Sequence, residues 1–326
     1  MSVKALFALN QVSELVRLVR LFEAKSIPLV SIKGPLLALE LYGDLGARSS
    51  NDLDFVIRPQ DIFLADDILC TEGYERFLFS PAQRKSHLKH SKDFVYWHPR
   101  KQICLELHWR LFQDIGCFSV FDVPLQEIRV GDQNIKQLSP EYNLLYLCAH
   151  GSESLWQRGQ WGLDIKFLLE RYGNLDWHLL WKVAENYDLT RFLKEGLTRH
   201  CEARSDAAIQ DPGLLRLARN DNYVWQLNAW VHRLNLRAKL KNKAKFCLSL
   251  FIPRVNDFQD LALPDYLFFA YYLARPILAL RRNLVRIRAA ARFRAAFAVT
   301  STATAATGLH AAIAHATKSF LKTDQD

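Results

Sequence analysis

In the run Asn51-Asp52-Leu53-Asp54-Phe55-Val56-Ile57, two carboxylates stand one residue apart in an apolar strand sequence. Side chains alternate across a strand, so Asp52 and Asp54 leave the same face about 7 Å apart along the chain. Two like charges side by side repel, and burying either one unpaired costs several kcal/mol, comparable with a domain's whole margin of stability. A divalent cation gripped between them removes that conflict. A third carboxylate lies in Cys104-Leu105-Glu106-Leu107-His108, where Leu105 and Leu107 share one face while Glu106 and His108 point the other way. If that strand lies beside the first, Asp52, Asp54 and Glu106 converge. Three oxygen donors, with water and phosphate completing the shell, suit Mg²⁺ or Mn²⁺. Such a site both activates an attacking hydroxyl and neutralises a leaving pyrophosphate. His108, on the Glu106 face, would orient a carboxylate or shuttle a proton, unless it is only hydrogen-bonded structure.

The elements that must hold these groups are readable from periodicity. Val12, Leu15, Val16, Val19 and Phe22 predict a helix near 8–25, followed by an apolar strand from Pro28 to Ile32. Lys33-Gly34-Pro35 then opens a helix through Leu36 to Tyr42: glycine lets the backbone pass close to a ligand, and proline fits a first helical turn. A loop from Gly43 to Asn51 brings Arg48 towards the strand of Asp52 and Asp54. Pro59 starts a helix that ends before Gly73; strands are expected at Tyr74–Phe79, Asp93–His98 and Ile103–Trp109, the last two joined as a hairpin. Beside the glycine-led helix, Lys33 and Arg48 would neutralise triphosphate, Arg48 bidentately.

The ordered set of motifs resembles a known family, the uncharacterised nucleotidyltransferases of the DNA polymerase β-like superfamily. It comprises Ser31-Ile32-Lys33-Gly34-Pro35, Leu41-Tyr42-Gly43-Asp44-Leu45-Gly46-Ala47-Arg48, Asn51-Asp52-Leu53-Asp54-Phe55-Val56 and Leu105-Glu106-Leu107-His108-Trp109-Arg110. Two later pieces are similar again, Leu144-Leu145-Tyr146-Leu147-Cys148-Ala149-His150-Gly151 and Trp161-Gly162-Leu163-Asp164-Ile165. The resemblance implies an α+β nucleotidyltransferase fold, a short mixed β-sheet flanked by helices. Gly34 would begin a helix beneath the triphosphate, Asp52 and Asp54 would hold the metals, and Glu106 would match the third acidic position. The superfamily's better-known pattern sets its acidic pair closer to the glycines, and Pro35 has no amide to offer a phosphate.

Composition bounds the rest. At 326 residues, half of them hydrophobic, the chain can bury a substantial core. Three segments are expected: a catalytic unit over 1–138, a helical domain over 139–298 and a loose tail over 299–326. The six cysteines form no Cys-x-x-Cys pair, and Lys4, Glu14, Arg17 and Arg20 interrupt any signal-peptide core, so a cytoplasmic protein with reduced thiols is expected, possible contact with a membrane surface aside. The apolar run from Leu261 to Leu280 holds Pro264, Asp265, Arg275 and Pro276 and is not read as transmembrane.

From Ser139-Pro140-Glu141 onward the pattern is helical, with His150 and Asp164 on or near apolar faces, either paired with each other or facing the cleft. Trp156, Trp161, Trp177 and Trp181 read as helix-packing residues. Basic residues crowd 233–245 and 275–294, and 266–323 carries no acid, so the net charge of +9 sits there. Two functions follow. One is an enzyme moving a nucleoside monophosphate from an NTP to an acceptor hydroxyl on a small molecule, protein or RNA. The other is a non-catalytic adaptor that keeps the fold and binds nucleic acid or anionic membrane through its basic helices.

Overall fold

The computed structural model of the protein describes residues 3–48, 50–203 and 223–282. Helix α1 (Val3–Ala24) turns Leu15, Leu18, Val19 and Phe22 inward, as its spacing requires. Strand β1 (Val30–Ser31), helix α2 (Gly34–Tyr42), strand β2 (Asp52–Val56) and helix α3 (Ile62–Thr71) follow. Strands β3 (Glu75–Arg76), β4 (Asp93–His98) and β5 (Ile103–His108) complete a five-stranded sheet of order β1-β2-β5-β4-β3. Only the β2–β5 pairing is parallel. That pairing sets Asp54 opposite Glu106 and Val56 opposite His108, so the chemistry-bearing faces of two distant sequence runs become one surface.

Alternation then divides the sheet. Leu53, Phe55, Leu105 and Leu107 join Phe22, Phe94 and Tyr96 in one apolar cluster, leaving Asp54 and Glu106 on the opposite face. A second cluster takes Val30, Leu37 and Val56 together with Leu144, Leu145 and Phe192 from later helices. The packing therefore runs unbroken across residue 138, where the chain changes from strand to helix.

One strand is shorter than the sequence predicts, and one helix and one hairpin are additional. The strand expected over Tyr74–Phe79 pairs only at Glu75 and Arg76, because Phe77 and Phe79 leave the ladder to build an aromatic group with His87 and Phe94. Helix α4 (Pro81–His90) then begins on a capping box in which Ser80 and Gln83 exchange side-chain-to-backbone bonds. An additional hairpin, β6 (Leu125–Val130) and β7 (Gln133–Leu138), turns at Gly131, whose φ of +63° is the left-handed region that glycine adopts without strain.

The helical half comprises α5 (Pro140–Glu153), α6 (Gln160–Arg171), α7 (Trp177–Asn186) and α8 (Thr190–Ala203). Further on come α9 (Tyr223–Leu236), α10 (Leu240–Ser249), α11 (Val255–Asp260) and a helix α12 over 270–282. Among the described residues no helix is long and apolar enough to cross a membrane. The tail expected over 299–326 and the basic residues beyond 282 lie outside the described residues.

Candidate active site

The site grows from the turn between β1 and α2. Lys33 (φ 60°, ψ −143°) and Gly34 (φ +63°) take successive left-handed conformations, which swing α2 so that its N-terminus faces β2. A Cβ on Gly34 would lie 3.5 Å from the backbone oxygen of Asp52, an ordinary contact, so it is the torsion and not space that favours glycine here. The positive end of α2 thus lies beside the two aspartates.

Asp54 is 2% exposed and collects the charges of the site. Its Oδ1 accepts from Lys33 Nζ at 3.1 Å and lies 3.2 Å from His108 Nε2. That same Nε2 is 3.2 Å from Glu106 Oε2. One N–H shared between two carboxylates serves each only in part, and Asp54 Oδ2 is buried with no hydrogen-bond partner among the described residues. One donor atom from each of Asp54, Glu106 and His108 falls within 4.8 Å of the others. Two carboxylates drawn onto one imidazole nitrogen, with an orphaned carboxylate oxygen alongside, fit the donor set for a divalent cation. Asp52 stands outside that tight group, on the side of the Gly34 turn.

The charges respond to this crowding. Burial followed by the neighbouring Asp54 pushes the Asp52 carboxyl up to about 6. Burial works the same way on Asp54, but Lys33 and His108 outweigh it and hold that carboxyl below its ordinary range. For Lys33, burial opposes the charge, and Asp54 first among its neighbours more than restores it. His108 is raised although burial and Lys92 oppose it, because Asp54 and Glu106 accept from it.

Sequence reasoning placed Lys33, Gly34, Asp52, Asp54 and Glu106 together, and the structure sets all five on one cleft of about 730 Å³. Arg48 also lines it, yet its guanidinium is engaged elsewhere. Nε and Nη2 donate to the two oxygens of Asp164 at 2.9 and 3.0 Å, and Nη1 donates to the Gly34 carbonyl at 3.3 Å. Tyr42 adds a hydroxyl to Asp164 at 2.7 Å. Asp164 therefore pairs with Arg48, and not with His150, which lies on the cleft between the rings of Tyr146 and Trp161. Burial keeps His150 neutral, well below its ordinary value.

Sequence reasoning missed Lys92, which bridges Asp93 (2.7 Å) and Glu106 (3.6 Å), and the wall formed by Trp230, Arg233, Arg254 and Arg275. No local pattern marks that wall, because its members come from α9, the turn before α11 and α12. Within the basic stretch 233–245, Arg237 is buried against Glu153, while Lys239, Lys241 and Lys245 face outward. Within 275–294, Arg275 and Arg282 both pair with Asp257.

A short mixed sheet that offers paired strand carboxylates to the N-terminus of a glycine-led helix defines a nucleotidyltransferase fold. The chain belongs to the uncharacterised nucleotidyltransferase family, whose model matches residues 3–203. Among solved structures it is similar to the lincomycin-bound lincosamide antibiotic adenylyltransferase LnuA, at 17% identity and a TM-score of 0.36, over 48% of this chain and 94% of that one. It is also similar to an antigenic nucleotidyltransferase-like protein from Paracoccidioides brasiliensis, at 17% identity and a TM-score of 0.36, over 56% of this chain and 92% of that one. No curated protein matches the chain.

Proposed function

We propose that the protein transfers a nucleoside monophosphate from an NTP to a hydroxyl of an acceptor, with Mg²⁺ or Mn²⁺ held by Asp52, Asp54 and Glu106. The observation that carries this reading is the convergence of Asp54 and Glu106 on a shared face, with one Asp54 oxygen buried and unpartnered among the described residues. The bound cation would supply charge stabilisation at the phosphoryl oxygens.

The chain's own groups account for the remainder. The Gly34 turn and Lys33 receive the triphosphate, the first through the positive end of α2 and the second through its ammonium. Arg48 acts one step back, as a positioning residue that fixes the Gly34 carbonyl to α6 through Asp164. His108 aligns Asp54 and Glu106. The acceptor oxygen attacks the α-phosphorus in line, a new O–P bond forms, the bond to pyrophosphate breaks, and the hydroxyl proton passes to Glu106. Glu106 is suited to this because its side chain is 25% exposed to the cleft, whereas Asp54 is enclosed.

The test incubates the purified chain with each labelled NTP and Mg²⁺ in a cell extract and identifies what becomes labelled. Labelling should vanish in the double variant Asp52→Asn, Asp54→Asn, which keeps the shape of both side chains. Undiminished labelling in that variant would overturn the assignment.

A further inference from the structure

The cleft has a second pole that the transfer chemistry leaves unused. Besides Asp52, Asp54 and Glu106, its lining includes Arg233 from α9, Arg254 from the turn before α11 and Arg275 from α12. All three come from outside the residues matched to the family. The arginines crowd one another. Burial first, and Arg237 and Arg254 among its neighbours, lower the Arg233 pKa despite Glu153; burial, Arg254 and Arg282 lower that of Arg275 despite Asp257.

The nearby acids do not satisfy them. The Glu153 carboxylate takes Arg237 at 2.9 Å, and only the Glu153 backbone carbonyl accepts from Arg233 Nε, at 2.9 Å. Asp114 reaches Arg254 Nη2 only at 3.4 Å, and Arg254 Nε is buried without a hydrogen-bond partner among the described residues. Asp257 pairs with Arg275 at 3.0 Å but shares its charge with Arg282, and Arg275 Nη1 is likewise buried and unpartnered. Guanidinium N–H groups desolvated at a cleft wall and left open are the donors that a carboxylate or phosphate engages in pairs.

We propose that Arg233, Arg254 and Arg275 bind an anionic group on the acceptor, so that the substrate is a small hydroxyl compound carrying a phosphate or a carboxylate. The identity of that compound as acceptor rests on the nucleotidyl-transfer reading; the anion site does not. A small ligand is favoured over nucleic acid because the arginines line the inside of the cleft and form no stripe along an exposed helix.

The experiment titrates the full chain calorimetrically in EDTA with glycerol 3-phosphate, glycerate, glycerol and a short single-stranded RNA. A charged small probe should bind while glycerol does not, and the tighter of the two identifies phosphate or carboxylate. Arg254→Gln should weaken that probe by about tenfold, the scale of one lost charge-assisted hydrogen bond, and Arg254→Lys should recover part of it. With its side chain 41% exposed, Arg254 can be changed without opening the core, and Arg233→Gln serves as the second variant. The double variant Asp52→Asn, Asp54→Asn should bind the probe at least as tightly as the unaltered chain. Failure of both charged small probes overturns the proposal, and so does binding of the RNA alone. An equal loss of Mg²⁺-ATP binding in Arg254→Gln also overturns it, because the arginines would then belong to the triphosphate. If the unaltered chain holds the charged probe yet binds no Mg²⁺-ATP, the transfer reading fails and the anion site stands.

Discussion

Asp52 pays for its position. Its carboxyl is pushed up to about 6, so in the metal-free chain the folded state favours the protonated form. The sign follows from linkage: between 3.8 and about 6 the folded state binds more protons than the unfolded one, so stability falls as pH rises through that window. Below it the penalty is absent, and above it the penalty is complete. Asp52→Asn is therefore expected to raise the thermal midpoint in EDTA at pH 7 by a few degrees and to flatten the pH dependence between 3.8 and about 6. An unchanged midpoint and slope would show that Asp52 is well solvated. For Glu106→Gln the expectation is kinetic: turnover falls by about 10²-fold or more while nucleotide affinity changes little, as loss of a proton acceptor predicts. A variant with normal turnover would leave Glu106 as a surface residue.

At the scale of elements, what was legible in the sequence was whatever repeats with a short period. Leu53 and Phe55 against Asp52 and Asp54, and Leu105 and Leu107 against Glu106 and His108, disclose both strands and the faces they show. The parallel register that sets Asp54 against Glu106 had to be assumed, because strands 50 residues apart in sequence carry no local sign of their pairing. Helix α4 escaped notice since Arg84, Lys85, His87, Lys89 and His90 give it no apolar stripe, although its capping box was present at Ser80 and Gln83. The Lys33-Gly34 turn was marked by its glycine, and the left-handed torsion there yields a direct check. Gly34→Ala should cost about 1 kcal/mol in urea unfolding and weaken NTP binding more than acceptor binding, since the strained turn carries the α2 N-terminus. Equal losses for both ligands would detach the turn from the triphosphate.

Over the whole molecule, the sheet and the helices are clasped by a buried ion pair whose partners lie 116 residues apart. Arg48 is 6% and Asp164 0% exposed, and Tyr42 adds its hydroxyl to the same carboxylate. Asp164→Ala should lower unfolding free energy by ~3–5 kcal/mol, because it strands a desolvated guanidinium, while Arg48→Met with Asp164→Leu should lose far less. A single variant no weaker than the double would show that the pair is solvated. The sequence presented both residues but not their meeting. Arg48 reads as a phosphate ligand and Asp164 as a polar residue seeking any partner, and only the docking of α6 on the Gly34 turn brings the two together. The arginine wall was invisible for the same reason, since it exists only once two helices and the turn before α11 are packed together.

Lys33 gives the apo protein a resident counterion. Its ammonium, on a strained backbone, already sits 3.1 Å from Asp54, so the most buried carboxylate of the site is compensated before any ligand arrives. That carboxylate is therefore not left as a naked charge, as metal ligands are in domains that fold only with the ion bound. The same arrangement makes the lysine a gatekeeper of order. A cation arriving alone must compete with a tethered charge, whereas one arriving with a triphosphate brings a new anion for the lysine to follow. On the nucleotidyl-transfer reading proposed above, metal and nucleotide are expected to enter as a single package.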